Sequence, residues 1–272
     1  MSNHLAVQLE KTGEFVWQER ERFRFDKATR RCPENPLVMP EWTLRRCEQR
    51  LEDTVFPIEY AFHLLGDVRG KTVVDLGCGD GLNTIILASL GARVLSVDIS
   101  GKSLELTRRR AIANGVDGRV ALLHSDAAAI PIDAGSADAV FGAAILRHVD
   151  PIRAARQIRR VLKPGGVAVF LEAIVHPSSL AAMKKIWLEN EEFGSDEHAL
   201  TLEQIQAVCR AVGIAGRQRA FWLTTRFVCS FGAGTFSMPA KAAQQLDALV
   251  LRRFPFVSRF ASRLVWEARK ES

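Results

Sequence analysis

The sequence predicts an α/β fold, a mostly parallel sheet with helices on both faces. Three observations predict it. Short apolar, β-branched runs alternate with stretches of helical composition through the middle of the chain, as right-handed βαβ units do. The first run, Lys71 to Leu76, leads into glycines at alternate positions, Gly77, Gly79 and Gly81, and then into the helical stretch Leu82 to Leu90. Acidic residues, Asp75, Asp98 and Asp126, recur at or just past the ends of the first three runs. Those ends form the edge at which open α/β sheets bind ligands.

Each element has its own reason. Glu14 to Phe25 mixes Trp17, Phe23 and Phe25 with Glu and Arg and reads as an amphipathic helix. Arg30 to Pro40 carries Pro33, Pro36 and Pro40 and reads as a loop. Glu41 to Leu65 is helical, interrupted near Pro57. After the first strand come a second strand, Ala92 to Val97, and a helix, Lys102 to Asn114, ended by Asn114-Gly115. The third strand is Arg119 to His124 and the fourth Ala137 to Ala143. The helix Pro151 to Leu162 closes at Lys163-Pro164-Gly165-Gly166, and Val167 to Ala173 is the fifth strand. Leu202 to Val212 is a helix opened by the capping-box pattern Thr201-x-x-Gln204. Gln218 to Arg226 is expected as a sixth strand, Ala240 to Leu251 as a helix and Arg263 to Lys270 as a closing strand. Residues 1–66 are then an N-terminal helical cap and 67–272 the sheet domain. The stretches 174–200 and 231–255 depart from the alternation and read as insertions after strands five and six, on the substrate side.

Composition narrows the class. The 272 residues are 47% hydrophobic and 25% charged, enough apolar content for a sizeable core. MSNHLAVQLEKTGEF lacks a basic start followed by an apolar core, so no signal peptide is expected, and no uncharged apolar run is long enough for a transmembrane segment. Cys32, Cys47, Cys78, Cys209 and Cys229 are scattered and odd in number, which suits reduced thiols in the cytoplasm rather than disulfides or a zinc site. The net charge of +6 is spread along the chain without a dense block. It permits an acidic substrate, a membrane surface or nucleic acid and reads first as a solvated arginine-rich surface; the lack of a basic stripe argues against nucleic acid as partner. A homodimer is compatible with the chain.

The turn after the first strand reads D-x-G-x-G-x-G, from Asp75 to Gly81, not the G-x-G-x-x-G that seats a pyrophosphate. A carboxylate at that strand end repels a diphosphate and can receive an ammonium group. The stretch Thr72 to Gly81 resembles motif I of the Rossmann-like, class I S-adenosylmethionine-dependent methyltransferases. Val97-Asp98-Ile99-Ser100 is similar to the family's second motif, and Ala137 to Val149 to its fourth, with Ala137 and Arg147 where many members carry Phe and His. The resemblance covers residues 60 to 230 best. It implies a seven-stranded, mostly parallel sheet with an antiparallel closing strand, and S-adenosylmethionine as cofactor. The cofactor-binding residues it implies are Asp75, Gly77, Cys78, Gly79, Gly81, Asn83, Asp98, Ile99, Ser125, Asp126, Ala127, Ala143 and His148. Asp98 would accept from the ribose hydroxyls, with helix capping as its alternative role. Ile99 would lie on the adenine and Asp126 at its amino group.

Methyl transfer needs acceptor and methyl carbon held in line, and a base if the acceptor is a hydroxyl. His148, His176 and Glu172 are the catalytic candidates; His148 serves equally as a structural or cofactor-side contact, and His198, beside Glu197, reads as a helix-entry residue. No group has metal-ligand spacing. Phe56, Tyr60, Trp187, Phe193 and Trp222 would wall an apolar acceptor pocket. These readings converge on methyl transfer to a small-molecule acceptor, on oxygen, in secondary or quinone-like metabolism. An RNA methyltransferase, a C-methyltransferase for an anionic phosphate-bearing acceptor and a non-catalytic scaffold of the same fold stand as alternatives.

Overall fold

The computed structural model describes residues 37–174, 199–230 and 237–272. The expected helix Glu14 to Phe25, most of the insertion after strand five, and with it His176, Trp187, Phe193, Glu197 and His198, lie outside the described residues.

The helical region before the sheet is two helices, α1 (Glu41–Gln49) and α2 (Pro57–Leu65). Arg50 ends α1 in the left-handed region, and Pro57 opens α2 at its first turn, where the missing N–H leaves no hydrogen bond unmade. Almost all of α2 is buried, including Glu59, whose carboxylate holds Arg46 at 2.5 Å and the Thr54 hydroxyl.

Seven strands follow: β1 (Thr72–Leu76), β2 (Arg93–Asp98), β3 (Val120–His124), β4 (Ala137–Ala143), β5 (Leu162–Ala173), β6 (Ile214–Phe221) and β7 (Arg263–Arg269). Their order is β3-β2-β1-β4-β5-β7-β6. The pairs among β1 to β5 are parallel, and β7 runs antiparallel to both β5 and β6. The carboxyl ends of β1 to β6 therefore share one edge. Helices α3 (Leu82–Ser89), α4 (Gly101–Ala113), α5 (Pro151–Val161) and α6 (Leu202–Val212) connect strands across the faces.

The two-residue period of the strands divides the core. Val74, Val140, Phe170 and Trp266 face α5 and α6, meeting Ile158 and Val208. Val73, Phe141, Val169 and Val265 face the other way, meeting Phe62 of α2 and Ile85 of α3. The rings of Phe170 and Trp266 stack at 5.0 Å, those of Phe62 and Phe141 at 5.5 Å. Each such side chain contributes about 1.5–3 kcal/mol by leaving water.

Three expectations shift. The Lys163 to Gly166 turn is the irregular opening of β5 itself, bonded to Lys270 through Gly165 and Gly166. The sixth strand is Ile214–Phe221, not Gln218 to Arg226. Trp222 leaves it at φ 63, and Thr225–Ser230 is a short helix, α7. The cause is remote in sequence: Asp247, on α8 (Met238–Arg253), accepts from the N–H groups of Leu223, Thr224 and Thr225 and turns the chain into α7. Asp98 does not cap α4; Ser100 does, accepting from the Ser103 N–H at 3.1 Å. The capping box at Thr201 and Gln204 is present. The described cysteines are free. Among the described residues no helix is long and apolar enough to cross a membrane, and no cluster could hold a metal ion.

Candidate active site

The chain leaves β1 through three glycines at positive φ, 69° at Gly77, 53° at Gly79 and 83° at Gly81. Gly77 and Cys78 donate their N–H groups to Val97 O at 2.8 and 3.1 Å, and Gly79 donates to Asp98 Oδ2 at 2.8 Å. The turn is thus pinned across the end of β2. The glycines differ in what they face. A Cβ on Gly77 would meet Ile145 Cδ1 at 2.5 Å, and one on Gly81 would meet the Thr107 Cα at 2.8 Å. On Gly79 it would enter open space.

That space belongs to a cavity of about 200 Å³ at the carboxyl edge of the sheet. Of the residues expected to hold the cofactor, Gly77, Gly79, Asp98, Ile99, Ser125, Asp126, Ala127, Ala143 and His148 line it. Asp75, Cys78, Gly81 and Asn83 do not. Asp75 is sealed behind the turn, where its Oδ2 accepts from the Thr84 hydroxyl at 2.6 Å. Burial pushes its carboxyl up to about 7, and the neighbouring Asp98 adds to the rise. Cys78 turns to the Thr107 hydroxyl at 3.7 Å, and burial pushes its thiol up. Gly81 packs on α4, as its contact with Thr107 shows.

Asp98 is 7% exposed and lines the cavity. Its Oδ1 accepts from the Ser100 N–H and its Oδ2 from Gly79, both at 2.8 Å. Burial raises its pKa, and those two bonds oppose the rise. A carboxylate has about four acceptor positions, so two bonds leave it able to accept from a ligand. Asp126 Oδ1 accepts from the Ala128 N–H at 2.8 Å, which folds the turn after β3.

The far wall is the turn after β4, which supplies Ala144, Ile145, Arg147 and Val149 to the lining. Sequence reasoning missed these four; the motif Ala137 to Val149 spans them but does not say which side chains turn inward. Ala144 sits at φ 58 and donates to Leu171 O at 2.8 Å. Glu172 holds the turn from below: its Oε1 accepts from the N–H groups of Ile145 and Leu146, both at 3.0 Å. Glu172 is fully buried, and its Oε2 has no hydrogen-bond partner among the described residues. Burial pushes its carboxyl up to about 7. Among the catalytic candidates, then, Glu172 lies beneath the cavity wall and His148 lines it. The Arg147 Nε–H donates to His148 Nε2 at 3.1 Å. Asp138, also in the β4 motif, serves the opposite edge, where it pairs with Lys163 at 2.6 Å and accepts from the Thr72 N–H.

A larger cavity, about 370 Å³, lies away from this one, at the end of β6. Tyr60 and Trp222 line it; Phe56 instead lies under the Arg46 guanidinium at 4.0 Å.

Residues 74–170 match a family model described as "Methyltransferase domain". Among curated proteins, a "Demethylmenaquinone methyltransferase" of Clavibacter sepedonicus is 40% identical over 42% of this chain and 45% of its own. A "Ubiquinone biosynthesis O-methyltransferase" of Bordetella avium (strain 197N) is 28% identical over 58% of this chain and 67% of its own. The chain spans about half the length of most of the curated relatives it matches. Among solved structures, the geranyl diphosphate C-methyltransferase from Streptomyces coelicolor A3(2) superposes with a TM-score of 0.61 at 18% identity, over 78% of this chain and 77% of that one. At that identity the likeness is one of fold. The strand order, the glycine turn with Asp98 at its side, and these matches agree: residues 74–170 match the methyltransferase domain, and the chain has the fold of the class I, S-adenosylmethionine-dependent methyltransferases.

Proposed function

We propose that the protein binds S-adenosylmethionine in the cavity between Gly79 and Asp98 and transfers its methyl group to an oxygen of a small, quinone-like molecule. The observation that carries the reading is the acidic set at the strand ends. Asp98 and Asp126 line the cavity and give it negative charge, while Asp75, sealed behind the turn, does not reach it; the two lining carboxylates favour a cationic ligand over a diphosphate.

The residues fit the group. The open space over Gly79 admits a ligand against the backbone. Asp98 retains acceptor capacity for a ribose diol, and Val97, Ile99 and Ala127 offer apolar surface for a base. Bound there, the sulfonium supplies an electrophilic methyl carbon and a good leaving group. The chain's own work is to orient and to exclude water: Glu172 fixes the turn that carries Ala144 and Ile145, and the turn closes one side of the cavity. His148 is the base candidate that reaches the cavity. Its Nε2 is engaged by Arg147, so proton abstraction through that atom requires the hydrogen bond to open. The printed names of both relatives support a quinone-like acceptor, and that of the Bordetella avium relative supports oxygen as the methylated atom. A cytoplasmic location and the absence of a nucleic-acid partner belong to the same reading.

Incubation with methyl-labelled S-adenosylmethionine and a panel of catechols and hydroquinones tests it. Label on a phenolic oxygen is the expected result. Retention of all label on the donor across the panel, with S-adenosylhomocysteine still bound, would leave a binding fold without this activity.

A further inference from the structure

The larger cavity has a chemistry of its own. It lies at the carboxyl edge of the sheet, between the end of β6, the start of α2 and the helix α8. Three features of its wall are unmatched. Arg219 is partly buried, with its guanidinium 4.9 Å above the Phe221 ring and 5.4 Å from that of Tyr60. One N–H goes to Glu52 O at 2.7 Å, and among the described residues no carboxylate forms an ion pair with it. Trp222 holds φ 63, a left-handed conformation that is uncommon for a non-glycine residue. Its Nε1–H is buried without an acceptor among the described residues. Strain and unpaired polar groups gather where a ligand is to be met.

The other charges in the wall are accounted for. Arg252 pairs with Asp53 at 2.6 Å. Asp247 divides its carboxylate among five donors of Leu223, Thr224 and Thr225, at 2.7 to 3.0 Å. Glu52 is exposed at the rim and forms no ion pair among the described residues. Among the described residues of the wall, Arg219 is left as the cation without an ion pair, seated on ring faces, and burial holds it below its ordinary value. A guanidinium seated on aromatic rings presents its remaining N–H groups as a fork to an anionic group.

We propose that this cavity binds an organic anion with an aromatic body, its carboxylate or phosphate seated on Arg219 and its ring among Tyr60, Phe221 and Trp222. The volume, about 370 Å³, suits a body of one or two fused rings. In the methyl-transfer reading this ligand is the acceptor, held at the same sheet edge as the cofactor cavity. The Arg263 guanidinium lies 5.2 Å from the Trp222 ring, and its charge reaches Glu172 beneath the wall of the cofactor cavity.

Calorimetric titration with 2-naphthoate, 2-naphthyl phosphate and the neutral 2-naphthamide tests the proposal on the whole chain, without cofactor. One of the two anions should bind saturably, at least about tenfold tighter than the amide. The tighter of the two identifies the anion as carboxylate or phosphate. Arg219→Gln should weaken that anion at least about tenfold and leave the amide unchanged, and Arg219→Lys should fall between. Cooperative melting checks that each variant is folded; if Arg219→Gln is not, the comparison of anion with amide decides. Equal binding of amide and anion, an undiminished affinity in a folded Arg219→Gln, or no saturation by either anion at millimolar concentration would overturn the proposal. Asp98→Ala separates the two readings: it should reduce S-adenosylhomocysteine binding and leave naphthoate binding as it is.

Discussion

Gly79 and Asp98 meet through one hydrogen bond, the Gly79 N–H on Asp98 Oδ2 at 2.8 Å, and that bond ties the turn after β1 to the end of β2. The same carboxylate closes the turn and lines the cavity. Replacing Asp98 by Ala should weaken S-adenosylhomocysteine by about 1–3 kcal/mol, the effect of leaving ligand hydroxyls unpaired. Calorimetry reads the change. An unaltered dissociation constant would confine Asp98 to holding the turn.

The glycines of that turn should separate by role. Gly81→Ala places a Cβ 2.8 Å from the Thr107 Cα at φ 83, against backbone that cannot give way. It should cost about 1–3 kcal/mol of stability in denaturant unfolding. Gly79→Ala enters open space. Its left-handed φ costs about 1–2 kcal/mol, and the added methyl should fall on the cofactor. A Gly81→Ala variant as stable as the parent would contradict the packing described here.

Glu172 supplies a test by pH. Its folded pKa, about 7, lies above the ordinary 4.5. The folded chain therefore binds more protons than the unfolded one between those values. The stability that protonated Glu172 contributes is fully present below pH 4.5 and is lost as pH rises through 7. Asp75, also raised to about 7, acts in the same direction. Glu172→Gln keeps an oxygen for the Ile145 and Leu146 N–H groups and cannot ionise. Its melting temperature relative to the parent should rise between pH 5 and pH 8. A difference that stays constant over that interval would show that Glu172 does not titrate there.

Much of this was legible in the sequence, for a local reason. Short continuous apolar, β-branched runs with Gly or Asp at their ends fix strand and turn with no help from elsewhere, so β1 to β4 and the residues at their carboxyl ends fall where the pattern puts them. What the sequence hid depends on remote partners. The end of β6 is set by Asp247, more than twenty residues downstream. Spacing alone could not tell Gly79, which faces the cavity, from Gly81, which faces Thr107. Nor could it show that Asp75 is spent on Thr84 or that Ile145 and Arg147 turn inward. The helix-entry reading of His198 and the lid residues Trp187 and Phe193 fall outside the described residues.

The central claim is that the cavity beside Asp98 is built for a cationic adenosyl ligand rather than a dinucleotide. Parallel calorimetric titrations with S-adenosylhomocysteine, S-adenosylmethionine and NAD test it most directly. Saturable binding of the first two at a single site, lost or weakened in Asp98→Ala, with no heat from NAD, is the predicted result. Binding of NAD with no response to either adenosyl compound would contradict the account.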